Sequence, residues 1–230
     1  MKRISIIIAI IVLFAGAICY KSYKMENPPL ASDSYDKIEH LSASLLYYET
    51  TLEGLEKRSK SIARGRISGV PETVYSDYNR PKKMPLYTII ALEVTETYKG
   101  NIEVGKTIKI IEPYYIANRT LYTYGNYLPS RMDEEYIFFF GSQLVDKNPD
   151  LEKYRGAYFV DHDERGRYLV PKKGSIDDKR DFREELSLGE LDTSVYMGLY
   201  KEVTDAYIRN SEAREIPIGK GEAIDIAAVE

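Results

Sequence analysis

The stretch PLYTIIALEVTETY, Pro85 to Tyr98, decides the class of fold. Ile90, Leu92 and Val94 take every second position, with Ala91, Glu93 and Thr95 between them. Side chains of a strand point alternately to its two faces, so this pattern predicts a strand with one face in a core and one in water. Just beyond it, Lys99-Gly100-Asn101 signals a turn. Gly105 then opens a second strand, Lys106 to Glu112, with Ile108 and Ile110 directed inward. Upstream, Ile62 to Gly69 reads as a shorter strand. Downstream, EEYIFFF at Glu134 to Phe140 is almost continuously apolar, which predicts a strand covered on both faces. Gly156 to Val160 and Arg167 to Val170 flank the polar run Asp161 to Gly166 and predict a hairpin.

Helical spacing brackets these strands. Ile38, Leu41, Leu45, Tyr48, Leu52 and Leu55 step by three and four residues, which predicts an amphipathic helix over 34–59 with Asp33 or Ser34 as its cap. Gly54 is expected to weaken its end. A stripe this regular either packs on its own domain or serves self-association through the 38–55 face. Val195, Leu199, Val203 and Ala206 predict a second helix from Asp192, which caps it, to Asn210. Five or six strands with helices at either end, and no strand–helix alternation, predict a mainly β fold closed as a barrel or stacked as a sandwich.

The N-terminus points to a membrane. After Met1-Lys2-Arg3, residues Ile4 to Tyr20 form an apolar run broken only by Ser5 and Gly16, and Lys21 and Lys24 close it. Its 17 residues reach the lower limit of about 17 for a spanning helix. The same run describes a signal peptide, with Ala15-Gly16-Ala17 as a cleavage site, so an uncleaved anchor and a cleaved signal both remain open, with a form lipidated at Cys19 as a third reading that Ile18 in front of it disfavours. The basic head favours an N-terminus in the cytoplasm, with the rest of the chain outside: a single-pass membrane protein or, after cleavage, a secreted one. Cys19 is the only cysteine, so residues 25–230 form no disulfide and no cysteine metal site. The whole chain carries −4 and residues 1–24 hold four basic and no acidic residues, so residues 25–230 carry −8. That charge argues against nucleic acid as a partner, since phosphate binding needs clustered Lys and Arg.

The order Ser61-Ile62-Ala63-Arg64-Gly65-Arg66-Ile67, then Tyr87 to Val94, Tyr98-Lys99-Gly100, Val104-Gly105-Lys106 and Glu134 to Phe140 resembles a pattern in small exported bacterial proteins. Their domain is similar to the OB-type barrel shared by netrin-like modules and tissue inhibitors of metalloproteases. The resemblance covers about residues 50–170 and implies an OB-like small β-barrel. It does not carry inhibitor activity, because that family acts through an N-terminal cysteine on a disulfide-tied edge, and this chain has neither. The expected organisation is an anchor or signal peptide at 1–24, a linker with Pro28-Pro29 at 25–33, the amphipathic helix at 34–59, the barrel at 60–175, a C-terminal helical region at 176–212 and a tail at 213–230.

No nucleophile elbow, zincin, phosphate-loop or dinucleotide motif occurs, and no cofactor is expected. Of the two histidines, His40 reads as a surface residue. His162 sits in Asp161-His162-Asp163, whose adjacent side chains diverge, so no metal site is expected. Paired carboxylates at Glu134-Glu135 and Asp177-Asp178 lack the spacing across a cleft that glycosidase chemistry needs. A non-enzymatic protein is therefore expected. What stands out is tyrosine, at 21 residues with no tryptophan. Tyr114, Tyr115, Tyr122, Tyr124 and Tyr127 fall between two strands, with Asn118, Arg119, Asn126 and Arg131 among them. A loop there would cross the barrel where OB-type domains bind ligands, and tyrosine suits sugar rings and protein hot spots alike. Two functions follow as expectations. One is a membrane-tethered module that binds another envelope protein through these residues. The other is a cell-wall glycan binder using the same rings.

Overall fold

The structure, a computed structural model, describes residues 35–41, 49–76, 82–145, 148–161, 163–171, 186 and 194–209. These residues form a mainly β protein with a C-terminal helix. The apolar run 4–20, the linker and the tail after 212 lie outside the described residues, as does His162. No helix among the described residues is long and apolar enough to cross a membrane.

Nine strands form two sheets among the described residues. β1 (Lys37–Leu41), β5 (Tyr114–Ala117) and β6 (Thr120–Tyr124) make a small sheet in the order β1-β6-β5. The larger sheet contains β2 (Ser61–Ser76), β3 (Met84–Lys99), β4 (Thr107–Glu112), β7 (Glu135–Gln143), β8 (Tyr158–Val160) and β9 (Arg167–Leu169). Its pairings run β2-β3-β4-β8-β7, and β7 pairs again with β2, so the series returns on itself. Within this larger sheet all neighbours are antiparallel except β4 and β8.

β7 explains why two of the three cores among the described residues lie back to back; the third gathers Val74, Ile89, Ile111, Leu144, Leu151 and Tyr154. All five residues from Tyr136 to Phe140 are buried, as their unbroken apolar run predicts. Tyr136, Phe138 and Phe140 face a core shared with Ile90, Leu92, Val94 and Ile110, the inward positions expected of β3 and β4. Ile137 and Phe139 face the other way, onto Leu55, Tyr196, Leu199 and Val203 of two helices. These are the short helix Leu52–Arg58 and the C-terminal helix Ser194–Thr204, which continues as a π turn through Arg209.

Several expectations need correction. The helix expected over 34–59 does not form at its start: Lys37 to Leu41 is a strand, parallel to β6, and among the described residues of that span helix appears at Leu52–Arg58, capped by Thr51. Of the six-residue stripe of 38–55, Ile38 and Leu41 are on the strand and Leu52 and Leu55 on the helix, while Leu45 and Tyr48 lie outside the described residues, so the stripe is not the single helical face expected for self-association. A five-residue strand with no fully buried position carries no period of its own, and its hydrogen bonds come from a partner far along the chain. β2 runs on past Gly69 to Ser76, through a register shift between Ser68 and Glu72 that absorbs Gly69 and Pro71. The hairpin expected from 156 to 170 is not one either. β8 and β9 do not pair with each other; both lie along β7, because a 3₁₀ turn at Asp163–Gly166 carries the chain forward instead of reversing it.

Candidate functional site

The tyrosine-rich stretch folds as a hairpin. β5 and β6 pair antiparallel from Tyr114 opposite Thr123 to Ala117 opposite Thr120. Asn118 and Arg119 turn the chain at φ values of 50° and 58°. Positive φ at both central residues is the geometry whose twist matches a two-residue hairpin, and asparagine tolerates it best among non-glycine residues.

Strand alternation then sorts the five rings. Tyr114 and Tyr127 are fully buried and stack inside at 6.3 Å between centroids, so these two candidates are core residues and not part of an accessible surface. Leu121 and Thr123 are buried beside them. Tyr115, Tyr122 and Tyr124 take the opposite, half-buried positions. Tyr115 is directly across from Tyr122 and stacks on it at 4.9 Å and 22°. Burial, and then the neighbouring Tyr124, Tyr122 and Glu39, raise the Tyr115 pKa. Glu39 of β1 is in register with Tyr122 and forms an ion pair with Lys37. The outward face is therefore three rings edged by one exposed ion pair.

The two arginines are not on it together. Arg119, at the hairpin tip, holds Asp36 with two hydrogen bonds of 2.6 Å, fixing the start of β1. Arg131 lies on the following loop, where its backbone N–H donates to the Tyr136 hydroxyl at 3.0 Å. His40 is exposed and its Nδ1–H donates to the Gly125 carbonyl at 2.8 Å.

Beneath the hairpin lies a polar cluster that the sequence reading missed. Glu112 and Arg167 are buried in the interior, 3.6 Å apart. Oε1 of Glu112 accepts from the Tyr127 hydroxyl and from Ser130 Oγ. Arg167 Nη1 donates to Leu128 O at 2.6 Å and Ser130 Oγ at 2.9 Å, and its guanidinium sits 4.2 Å from the Tyr127 ring centre. Burial works against the charge on Arg167, but Tyr127, Tyr136 and Glu112 outweigh it and hold its pKa above the ordinary arginine value. Burial also raises the Tyr114 and Tyr127 pKa values, so both phenols stay protonated. Oε2 of Glu112 and the hydroxyls of Thr88 and Tyr114 lack hydrogen-bond partners; Tyr114 lies beside Thr88, but outside good hydrogen-bonding geometry. Charged residues ending an apolar strand, Glu112 after Ile110-Ile111, were the available signal.

On the helical side, Glu53, Glu56, Lys57, Ile62, Tyr98, Lys99 and Tyr207 line an open cleft of about 550 Å³. Tyr98 and Tyr207 pack at 4.5 Å, and the Tyr207 hydroxyl donates to Glu56 at 2.5 Å. Glu135, one of the paired carboxylates, is taken up by Arg64 at 2.8 Å and Thr95 at 2.7 Å. No group of three or more His, Cys, Asp or Glu suited to a metal occurs among the described residues. Comparison with known protein families, curated proteins and solved structures returns no match.

Proposed function

We propose that this chain is a non-enzymatic interaction module, held at or exported across a membrane by residues 4–20, that binds another envelope protein through the outward face of the β1-β6-β5 sheet. The observation that carries the reading is the Tyr115–Tyr122 stack at 4.9 Å beside Tyr124. Half-buried tyrosines held rigid against each other lose little side-chain freedom on binding, which is how aromatic hot spots gain affinity. The stack favours a protein over a glycan. Each ring already covers one face of the other, leaving edges and hydroxyls, whereas a sugar needs an open ring face. The finer fold reading belongs here too. A pairing series that returns from β7 to β2, with its one parallel step between β4 and β8, supports the OB-type barrel of the resemblance. The β5–β6 hairpin is then an insertion over one end of that barrel.

The test uses the full chain in intact membranes, crosslinked before and after the double substitution Tyr115→Ala and Tyr122→Ala. A partner protein recovered with the unaltered chain and lost with the double variant supports the reading. Crosslinks that survive the substitution overturn it. Tyrosine-dependent sedimentation with isolated cell-wall sacculi, in place of a protein crosslink, transfers the site to a glycan.

A further inference from the structure

β1 ends the small sheet, and among the described residues no strand covers its second edge. An uncovered edge presents unpaired N–H and C=O groups to any strand of suitable register. Residues 36–40 read Asp-Lys-Ile-Glu-His, an order complementary to its own reverse. Run antiparallel to itself and centred on Ile38, it sets Asp36 opposite His40, Lys37 opposite Glu39, and Ile38 opposite Ile38. Lys37 and Glu39 then each meet their opposite charge, while Asp36 and His40 keep their bonds to Arg119 and the Gly125 carbonyl; opposite charges across a strand pair stabilise it and like charges oppose it. A shift of the centre by one residue removes this. Centring on Glu39 sets two carboxylates face to face, and centring on Lys37 sets two ammonium groups together. Ile38, at the favoured centre, is 36% exposed and is the one exposed large apolar side chain of β1.

We propose that β1 pairs antiparallel with β1 of a second copy of this chain, about a two-fold axis at Ile38, joining two three-stranded sheets into one of six strands. Such a contact is isologous and closes at two copies, so it makes dimers and not filaments. The Lys37–Glu39 ion pair within one strand is exposed, with side chains 65% and 42% accessible, so exchanging it for the same pair across the axis costs little. Because Glu39 is in register with Tyr122, and Tyr122 with Tyr115, the joined sheet places both tyrosine faces on one continuous surface. A pair of five-residue strands buries well under the roughly 1,200 Å² of a standard interface, so the dimer forms in proportion to local concentration.

Residues directly opposite in an antiparallel pair have Cα atoms about 4.5–5.5 Å apart, within disulfide range. The test takes the full chain in membranes with Cys19→Ser, which removes the one native thiol, and adds Ile38→Cys. Mild oxidation is expected to give a covalent dimer at least tenfold more efficiently than Lys37→Cys or Glu39→Cys alone. Adding Lys37→Glu or Glu39→Lys singly to Ile38→Cys is expected to lower the yield about tenfold, and adding both exchanges to restore it. All these side chains are on an exposed edge strand, so the variants fold. Equal yields at the three positions, or no recovery with the double charge exchange, overturn the proposal. The substitutions Tyr115→Ala and Tyr122→Ala leave the Ile38→Cys crosslink unchanged, so failure of the dimer and failure of the partner site are read separately.

Discussion

At the scale of single residues, Asp163 carries the clearest consequence. It sits at φ 50° with Oδ2 buried and unpartnered, at the corner where Glu164 accepts a hydrogen bond from the Asn126 N–H. Burial, and then repulsion from Glu164 and Asp161, push its pKa from 3.8 up to about 6, with Arg165 working against the rise. The folded chain therefore binds this proton more tightly than the unfolded chain does. Its contribution favours folding as pH falls from about 6 towards 4, and that favour is lost as pH rises through 6. Each pKa unit is about 1.4 kcal/mol, so the loss is at most about 3 kcal/mol. Asp163→Asn keeps a residue that tolerates positive φ and removes the charge. Urea unfolding is expected to show the variant about 1–3 kcal/mol more stable at pH 7.5, with that advantage shrinking to about a third by pH 4.5 and vanishing below the unfolded value of 3.8. A variant no more stable at pH 7.5 would show that the carboxylate is not buried at this corner. Sequence reading could place Asp163 in a polar turn but not in a buried one, because its burial comes from the β6 end docking over it, a contact about forty residues distant. The same limit applied to the rings. Five clustered tyrosines were legible as a feature, but only strand alternation within a hairpin separates Tyr115, Tyr122 and Tyr124 from the core pair Tyr114 and Tyr127.

At the scale of elements, long periodic strands were readable and short borrowed ones were not. β3, β4 and β7 carry their own pattern, whereas β1, β8 and β9 exist because β6, β4 and β7 supply hydrogen bonds. The turn between β8 and β9 shows how finely such an element is set. At Gly166 an added Cβ would fall 1.7 Å from the Asp161 carbonyl oxygen, a backbone atom that cannot step aside. Gly156 differs: its φ is 84°, but an added Cβ would meet nothing within 4 Å. Gly166→Ala is therefore expected to cost about 3 kcal/mol or more, because the whole turn must move and β8 and β9 cannot both stay on β7. Gly156→Ala is expected to cost about 1–2 kcal/mol, the price of a left-handed backbone alone. Denaturation midpoints of the two variants, followed by circular dichroism, check the ranking, and equal costs would mean that the turn relaxes without disturbing its strands.

At the scale of the whole molecule, β7 joins what would otherwise be two bodies. Its Phe138 faces the interior of the returning sheet, and its Phe139 faces the layer of helices. Another tie crosses the same boundary: the Tyr196 hydroxyl donates to the Arg167 carbonyl at 3.1 Å. Since each core borrows the same strand, opening either one strips a face of β7 of its packing. Removing a buried phenyl group costs about 3–5 kcal/mol through lost burial and the cavity left behind. Phe138→Ala and Phe139→Ala are therefore expected to lower one common transition by similar amounts, although they face different cores. With 21 tyrosines and no tryptophan, tyrosine emission follows the sheet together with Tyr196, Tyr200 and Tyr207 of the helical layer, and circular dichroism at helical wavelengths follows the helices alone. The two signals should coincide in urea for both variants, as two-state unfolding requires. A helical signal that melts first in Phe139→Ala alone would separate the helical layer from the sheet and make β7 a boundary between independently stable parts, not the strand that couples them.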